Sequence, residues 1–319
     1  VIENDGGLFG RLPTAMVTPF DEKLDVDWTA VDRVVDHLIE TGTTAIVVNG
    51  TTGESPTLEE DEQVELLKRT IARAKSRVKI VMGTGTNSTR KTVKATQKAE
   101  ALGADGVLVV VPYYNKPSAA GLFAHYSEVA SCTTLPIMLY NIPGRTGINL
   151  PVETTVELAE TFPNIFALKD STSNTDQTAE IAKKARRDFH IYTGDDQALL
   201  PFLGVGACGV VSVASHIVGS QIAKCEKEFF SGNLDAARSI YYEYLPLFRG
   251  LFTAPNPTCI KYAMSTLGLC KPHLRLPLIE LNAQQRETLD ALLSSVKLDK
   301  TTSTSPSSQT ASRSKALTS

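Results

Sequence analysis

Lys169 closes the apolar run Ile165-Phe166-Ala167-Leu168, at a point where the chain should enter a packed interior. A lysine held there is partly desolvated, and desolvation favours the free amine that attacks a carbonyl to form a Schiff base. The alternative is a strand-end lysine that snorkels to water and pairs with Asp170 or a glutamate. Tyr140 and Tyr114 also follow apolar runs. Each reads either as core filler with its hydroxyl on a backbone carbonyl or, beside an amine and the Thr52 hydroxyl, as part of a proton relay. Arg145, in the turn Asn141-Ile142-Pro143-Gly144-Arg145, could grip a carboxylate with both guanidinium arms or serve a loop salt bridge. Gly50-Thr51-Thr52-Gly53 and Gly83-Thr84-Gly85 match neither phosphate-loop pattern and read as tight backbone turns. Asp195-Asp196 lacks a third ligand and reads as a helix N-terminus, so no metal is expected.

These groups need a scaffold that brings distant segments to one mouth. Short β-branched or apolar runs at 14–18, 44–49, 78–83, 106–111, 136–140, 165–169, 190–194 and 208–213 alternate with amphipathic stretches. The first such stretch carries Val31, Val34, Val35 and Leu38 on one helical face. Runs such as Val107-Leu108-Val109-Val110-Val111 do not alternate with polar residues, as expected of parallel strands buried on both faces. Eight strand–helix units predict an α/β fold, a (β/α)8 TIM barrel, with a doubly wound sheet as the alternative. Reactive groups then belong at the strand ends, where all of those above lie. Helical patterns at 221–229, 234–252, 260–267 and 284–296 exceed what one closing helix needs. The expected organisation is a catalytic barrel over 1–231, a C-terminal helical region over 232–299 and a disordered Ser/Thr-rich tail over 300–319.

The 319 residues carry 32 Lys+Arg against 35 Asp+Glu, a formal net charge of −3, which argues against a nucleic-acid binder. With 42% hydrophobic and 21% charged residues, most of the chain should fold, and no apolar run reaches membrane-spanning length. Five cysteines without a CxxC pair and five histidines without HExxH argue against a disulfide framework or zinc site. The residues after Val1 show neither a basic nor an apolar targeting region, so the cytoplasm is expected. A plastid location would require a targeting segment removed before Val1.

Six ordered motifs carry a resemblance: Gly50 through Leu58, Pro112-Tyr113-Tyr114-Asn115-Lys116-Pro117, Tyr140 through Thr146, Leu168-Lys169-Asp170, Gly194-Asp195-Asp196 and Gly209 through Val213. Over about 10–281 the chain resembles the dihydrodipicolinate synthase family, a branch of the class I, Schiff-base pyruvate aldolases and lyases that includes N-acetylneuraminate lyase. The resemblance implies an enzyme, a lyase condensing pyruvate with L-aspartate 4-semialdehyde to 4-hydroxy-tetrahydrodipicolinate, the entry step of diaminopimelate and lysine biosynthesis. It implies an imine on Lys169 with no further cofactor, and a relay of Tyr140, Thr52 and Tyr114, the last reaching a neighbouring subunit's site in a homotetramer built as a dimer of dimers. Thr51 and Thr52 would support the pyruvate carboxylate, Arg145 the semialdehyde carboxylate, and Gly194 and Val211 would line the pocket. Retention of Arg145 and of Gly-Thr-Thr-Gly favours this substrate over the sugar-acid, 4-hydroxy-2-oxoglutarate and hydratase-aldolase chemistry of relatives. Ser55, Asn87 and Tyr113 would contribute to an allosteric lysine site. Gln63 and Lys91 stand where lysine-inhibited members have a histidine and a glutamate, so weak or absent inhibition is expected.

Overall fold

A computed structural model describes residues 6–300; the tail expected to be disordered lies, but for Lys300, outside the described residues. Eight parallel strands form one sheet in sequence order: β1 (Pro13–Ala15), β2 (Ala45–Val48), β3 (Lys79–Gly83), β4 (Gly106–Val110), β5 (Ile137–Asn141), β6 (Ile165–Asp170), β7 (His190–Thr193) and β8 (Gly209–Val210). The sheet closes on itself. Val210 N–H donates to Arg11 O at 2.9 Å, Ser212 N–H to Pro13 O at 2.9 Å and Ala15 N–H to Ser212 O at 2.9 Å. Gly209 permits that seam, because a Cβ there would lie 1.9 Å from the Arg11 carbonyl oxygen. The fold is the expected TIM barrel.

The strands are buried on both faces, and their period of two sorts the side chains. Ala15, Ala45, Val47, Val81, Leu108, Met138, Tyr140, Ala167, Tyr192 and Val211 pack together inside the barrel. Ile46, Val48, Ile80, Val107, Val109, Leu139, Leu168 and Ile191 face the surrounding helices. Lys169 follows Ala167 by two, on the inward side.

Two strands, β1 and β8, stop two or more residues before the runs that predict them end. Beyond Met16, whose N–H still donates to Val47 O, the chain leaves the ladder: Val17 N–H donates to His216 Nε2 and Thr18 Oγ1 to Gly53 O. Beyond Val210, Val213 N–H and Ala214 N–H turn to the buried carboxylate of Asp196 at 3.0 and 2.9 Å. Burial pushes that carboxyl up to about 6.

The helices are α1 (Trp28–Glu40), α2 (Glu60–Ala74), α3 (Thr89–Ala101), α4 (Ala119–Ser131), α5 (Pro143–Thr146), α6 (Val152–Thr161), α7 (Thr175–Lys184), α8 (Leu199–Gly204), α9 (Ser215–Phe230), α10 (Leu234–Gly250), α11 (Thr258–Thr266) and α12 (Ala283–Ser294). Side-chain caps mark several starts: Asp27 accepts from Ala30 N–H, Ser118 from Gly121 N–H and Asn174 from Gln177 N–H. Helix α9 begins six residues before the pattern that predicts it, with non-helical backbone at Val218. Beyond the barrel, α10 packs on α9, and α12 on α10 and α11. No described helix is long and apolar enough to cross a membrane.

Candidate active site

Strand register puts Tyr140 opposite Lys169, and Lys169 opposite Tyr192, at one level of the barrel. The Lys169 ammonium nitrogen lies 4.3 Å from the centroid of the Tyr140 ring, and each residue is 5% exposed. A cation at that distance from a ring face is held by the aromatic quadrupole when charged. Lys169 forms no salt bridge with a described residue. Its chain neighbour Asp170 points elsewhere, accepting from Thr172 N–H and Thr178 Oγ1, each at 2.9 Å, and burial raises its carboxyl above the usual carboxylate range. Pairing with Asp170, the alternative left open by the sequence, is absent.

Gly194, at the end of β7, makes room for the lysine. A Cβ there would lie 2.8 Å from Lys169 Cε and 2.0 Å from Ser171 Oγ, so any side chain would displace the amine. Val211 is fully buried just past β8, its N–H on Thr193 O at 2.8 Å.

The loop after β2 supplies the threonines. Gly53 N–H and Ser55 N–H both donate to Gly50 O, winding 50–55 into consecutive turns, with Glu54 in the left-handed region at φ 54°. Thr52 is 2% exposed and its Oγ1 accepts from Asn256 Nδ2 at 2.9 Å. Thr51 is half-buried, and its hydroxyl makes no hydrogen bond to a described residue. Arg145 rides on the single turn of α5, which starts at Pro143 and stops at Gly147 with φ 71°. Its exposed guanidinium reaches the Asn256 carbonyl at 3.5 Å and pairs with no described carboxylate. Tyr114 stands apart. It is 89% exposed, adopts φ 73°, and bonds to none of the other candidates.

Around the expected lysine site, Asn115 Nδ2 donates to Asn87 O at 2.8 Å, Tyr113 is partly exposed, and Ser55 sits in a short turn. The Gln63 amide is spent on Leu58 O and on Asn49, while Lys91 is exposed on α3.

Two contributors escape a reading of the sequence. Asn256 touches both Thr52 and Arg145 from the segment between α10 and α11, 204 residues beyond Thr52. Lys261 of α11 is buried against Glu54, Nζ to Oε1 at 2.5 Å, with the two side chains 0% and 1% exposed. Neither has a local signal. Asp195-Asp196 serves as a short-helix cap and as the anchor for the turn after β8, and among the described residues no three His, Cys, Asp or Glu side chains converge as a metal would require.

A buried amine over a phenol ring, a buried threonine hydroxyl on the loop after β2 and an exposed guanidinium without a carboxylate partner among the described residues suit covalent capture of a carbonyl compound and anchoring of a carboxylate. The family model of the "Dihydrodipicolinate synthetase family" matches residues 8–296. The chain belongs to that family. It is 48% identical over 281 residues to 4-hydroxy-tetrahydrodipicolinate synthase 1 of Halalkalibacterium halodurans, covering 88% of this chain and 95% of that one. It is 43% identical over 286 residues to the Bacillus subtilis 4-hydroxy-tetrahydrodipicolinate synthase, covering 90% and 99%. Among solved structures, a dihydrodipicolinate synthase of Bacillus anthracis superposes with a TM-score of 0.89 at 42% identity, covering 91% and 99%. The synthase of Cyanidioschyzon merolae, solved with lysine bound, gives 0.88 at 43% identity, covering 90% and 98%. Members of this family named as synthases are lyases, so the chain is read as an enzyme over nearly the whole length of its relatives.

Proposed function

We propose that this protein is a 4-hydroxy-tetrahydrodipicolinate synthase, condensing pyruvate with L-aspartate 4-semialdehyde in diaminopimelate and lysine biosynthesis. The single observation that carries the reaction type is the buried Lys169 amine, without a carboxylate partner among the described residues and set over Tyr140. Lys169 Nζ attacks C2 of pyruvate and water leaves, giving an imine that itself serves as the electron sink, so no external cofactor is required. Loss of a C3 proton gives the enamine. Its C3 attacks the aldehyde carbon, and the alkoxide formed takes a proton from the relay. The substrate amine then adds to C2, closes the ring and expels Lys169.

The relay consists of Tyr140, Thr52 and Tyr114. The family resemblance implies that Tyr114 acts in the site of a neighbouring copy, making a dimer the catalytic unit, and its exposure to solvent suits that reading. Thr51 and Thr52 support the pyruvate carboxylate, and Gly194 and Val211 wall the pocket.

Arg145 anchors the carboxylate of the semialdehyde, consistent with its having no carboxylate partner among the described residues. A charge-assisted hydrogen bond of this kind contributes about 1.5–3 kcal/mol. Arg145→Ala should therefore raise the KM for the semialdehyde by about 10- to 100-fold while pyruvate capture by borohydride proceeds at the wild-type rate. Equal loss of both would place the arginine elsewhere in the reaction.

Lysine is expected to inhibit weakly or not at all. The exposed Lys91 ammonium repels the ligand's ammonium, and Gln63 is already occupied by Leu58 and Asn49. Titration with lysine at sub-millimolar concentration should leave turnover unchanged; inhibition in that range would contradict this reading of Ser55, Asn87 and Tyr113 as a site lacking its acidic partner.

A further inference from the structure

The Thr52 hydroxyl accepts its only protein hydrogen bond, among the described residues, from a group outside the barrel strands. Asn256 Nδ2 donates to Thr52 Oγ1 at 2.9 Å, both residues being buried. The other amide atom, Asn256 Oδ1, is buried without a partner, so Thr52 is the sole protein ligand of this side chain among the described residues. A buried amide that forgoes half of its hydrogen bonding carries a cost of desolvation. The Asn256 backbone carbonyl meanwhile accepts from Arg145 at 3.5 Å. One residue of the C-terminal region thus touches the loop expected to hold pyruvate and the arginine expected to hold the second substrate.

We propose that Asn256 is a positioning residue for the pyruvate step: its amide N–H fixes the Thr52 hydroxyl oxygen as an acceptor, which leaves the hydroxyl proton to be donated to a group in the site. A threonine hydroxyl has one proton and two lone pairs. If the lone-pair side is claimed from behind by an N–H donor, the proton must find its acceptor elsewhere, and no described residue supplies one. The substrate carboxylate is such an acceptor. The same loop is held a second time from the C-terminal region by the Lys261–Glu54 pair, which keeps the backbone in place when the Asn256 side chain is altered.

This inference rests on the reading that Lys169 captures pyruvate, and its test uses that half-reaction alone. The rate of pyruvate-dependent borohydride trapping, at pyruvate below saturation, is compared for the wild type, Asn256→Ala, Asn256→Asp and Thr52→Val, and for each Asn256 change combined with Thr52→Val. Thermal midpoints are recorded alongside. Aspartate is isosteric with asparagine but only accepts when ionised, so it draws the Thr52 proton toward itself. The expected result is a trapping rate at least tenfold lower for Asn256→Asp, a smaller loss for Asn256→Ala, and less than a twofold effect of either change once Thr52 is valine. A role in packing alone predicts the reverse order, with the isosteric change milder than the truncation and both persisting in the valine background. Trapping by Asn256→Asp at the wild-type rate would overturn the inference, since Thr52 would then donate to residue 256 in the native protein. A folded wild type that traps no pyruvate would remove the Schiff-base reading and this inference with it.

Discussion

Lys169→Ala is expected to lose turnover of pyruvate with L-aspartate 4-semialdehyde by at least about a thousandfold, because the substitution removes the nucleophile instead of an accessory group. It should also lose the reduced pyruvate adduct that borohydride leaves on the wild-type peptide spanning β6. The fold should survive the change. Lys169 forms no salt bridge with a described residue, so its removal strands no buried counter-charge among them, and the circular dichroism and melting behaviour are expected to stay near wild type. Retained turnover would assign the chemistry to another amine. A retained adduct with lost turnover would move the imine away from Lys169 while keeping the site.

Lys261→Met has the opposite profile, a large cost in stability. Lys261 donates to Glu54 at 2.5 Å and to His273 O at 2.9 Å, and its ammonium lies 4.0 Å from the Phe20 ring centroid. Burial presses the ammonium below its ordinary value, with the Glu54 charge opposing that pressure. Methionine fills most of the volume but leaves the Glu54 carboxylate buried without its cation, a loss of about 3–5 kcal/mol. Differential scanning calorimetry should show a midpoint lower by roughly 10 °C. The double change Glu54→Gln, Lys261→Met should regain much of this, because a neutral amide at 54 keeps an acceptor for Arg275 N–H and no longer carries an unpaired charge. Glu54 is two residues from Thr52, so the single variant should lose activity well below its melting point. A melting point equal to wild type would mean that the pair does not anchor the loop.

These two residues illustrate what could be read from the chain and what could not. Lys169 announces itself as a charged residue ending a run of apolar ones, and the strands themselves are legible because parallel strands buried on both faces need continuous runs such as 107–111. The inward placement of Tyr140 and Lys169 follows from the period of two once the strands are located. Lys261 carries no such mark. It occupies an ordinary position in an amphipathic pattern, and its burial arises only when α11 folds back over a loop 207 residues earlier. Asn256 is hidden for the same reason, lying between two prolines where a turn residue is unremarked. The apolar runs extend past the ends of β1 and β8 because the backbone N–H groups of Val17 and Val213 are claimed by the side chains of His216 and Asp196, and the Thr18 hydroxyl by Gly53 O, partners that periodicity does not encode.

Supplying the wild-type protein with pyruvate and L-aspartate 4-semialdehyde, with the product drawn off by a coupled reductase and identified by mass spectrometry, should give 4-hydroxy-tetrahydrodipicolinate with a strict need for both substrates. A folded protein that forms the pyruvate imine yet condenses it only with a sugar-derived aldehyde would contradict the proposed substrate.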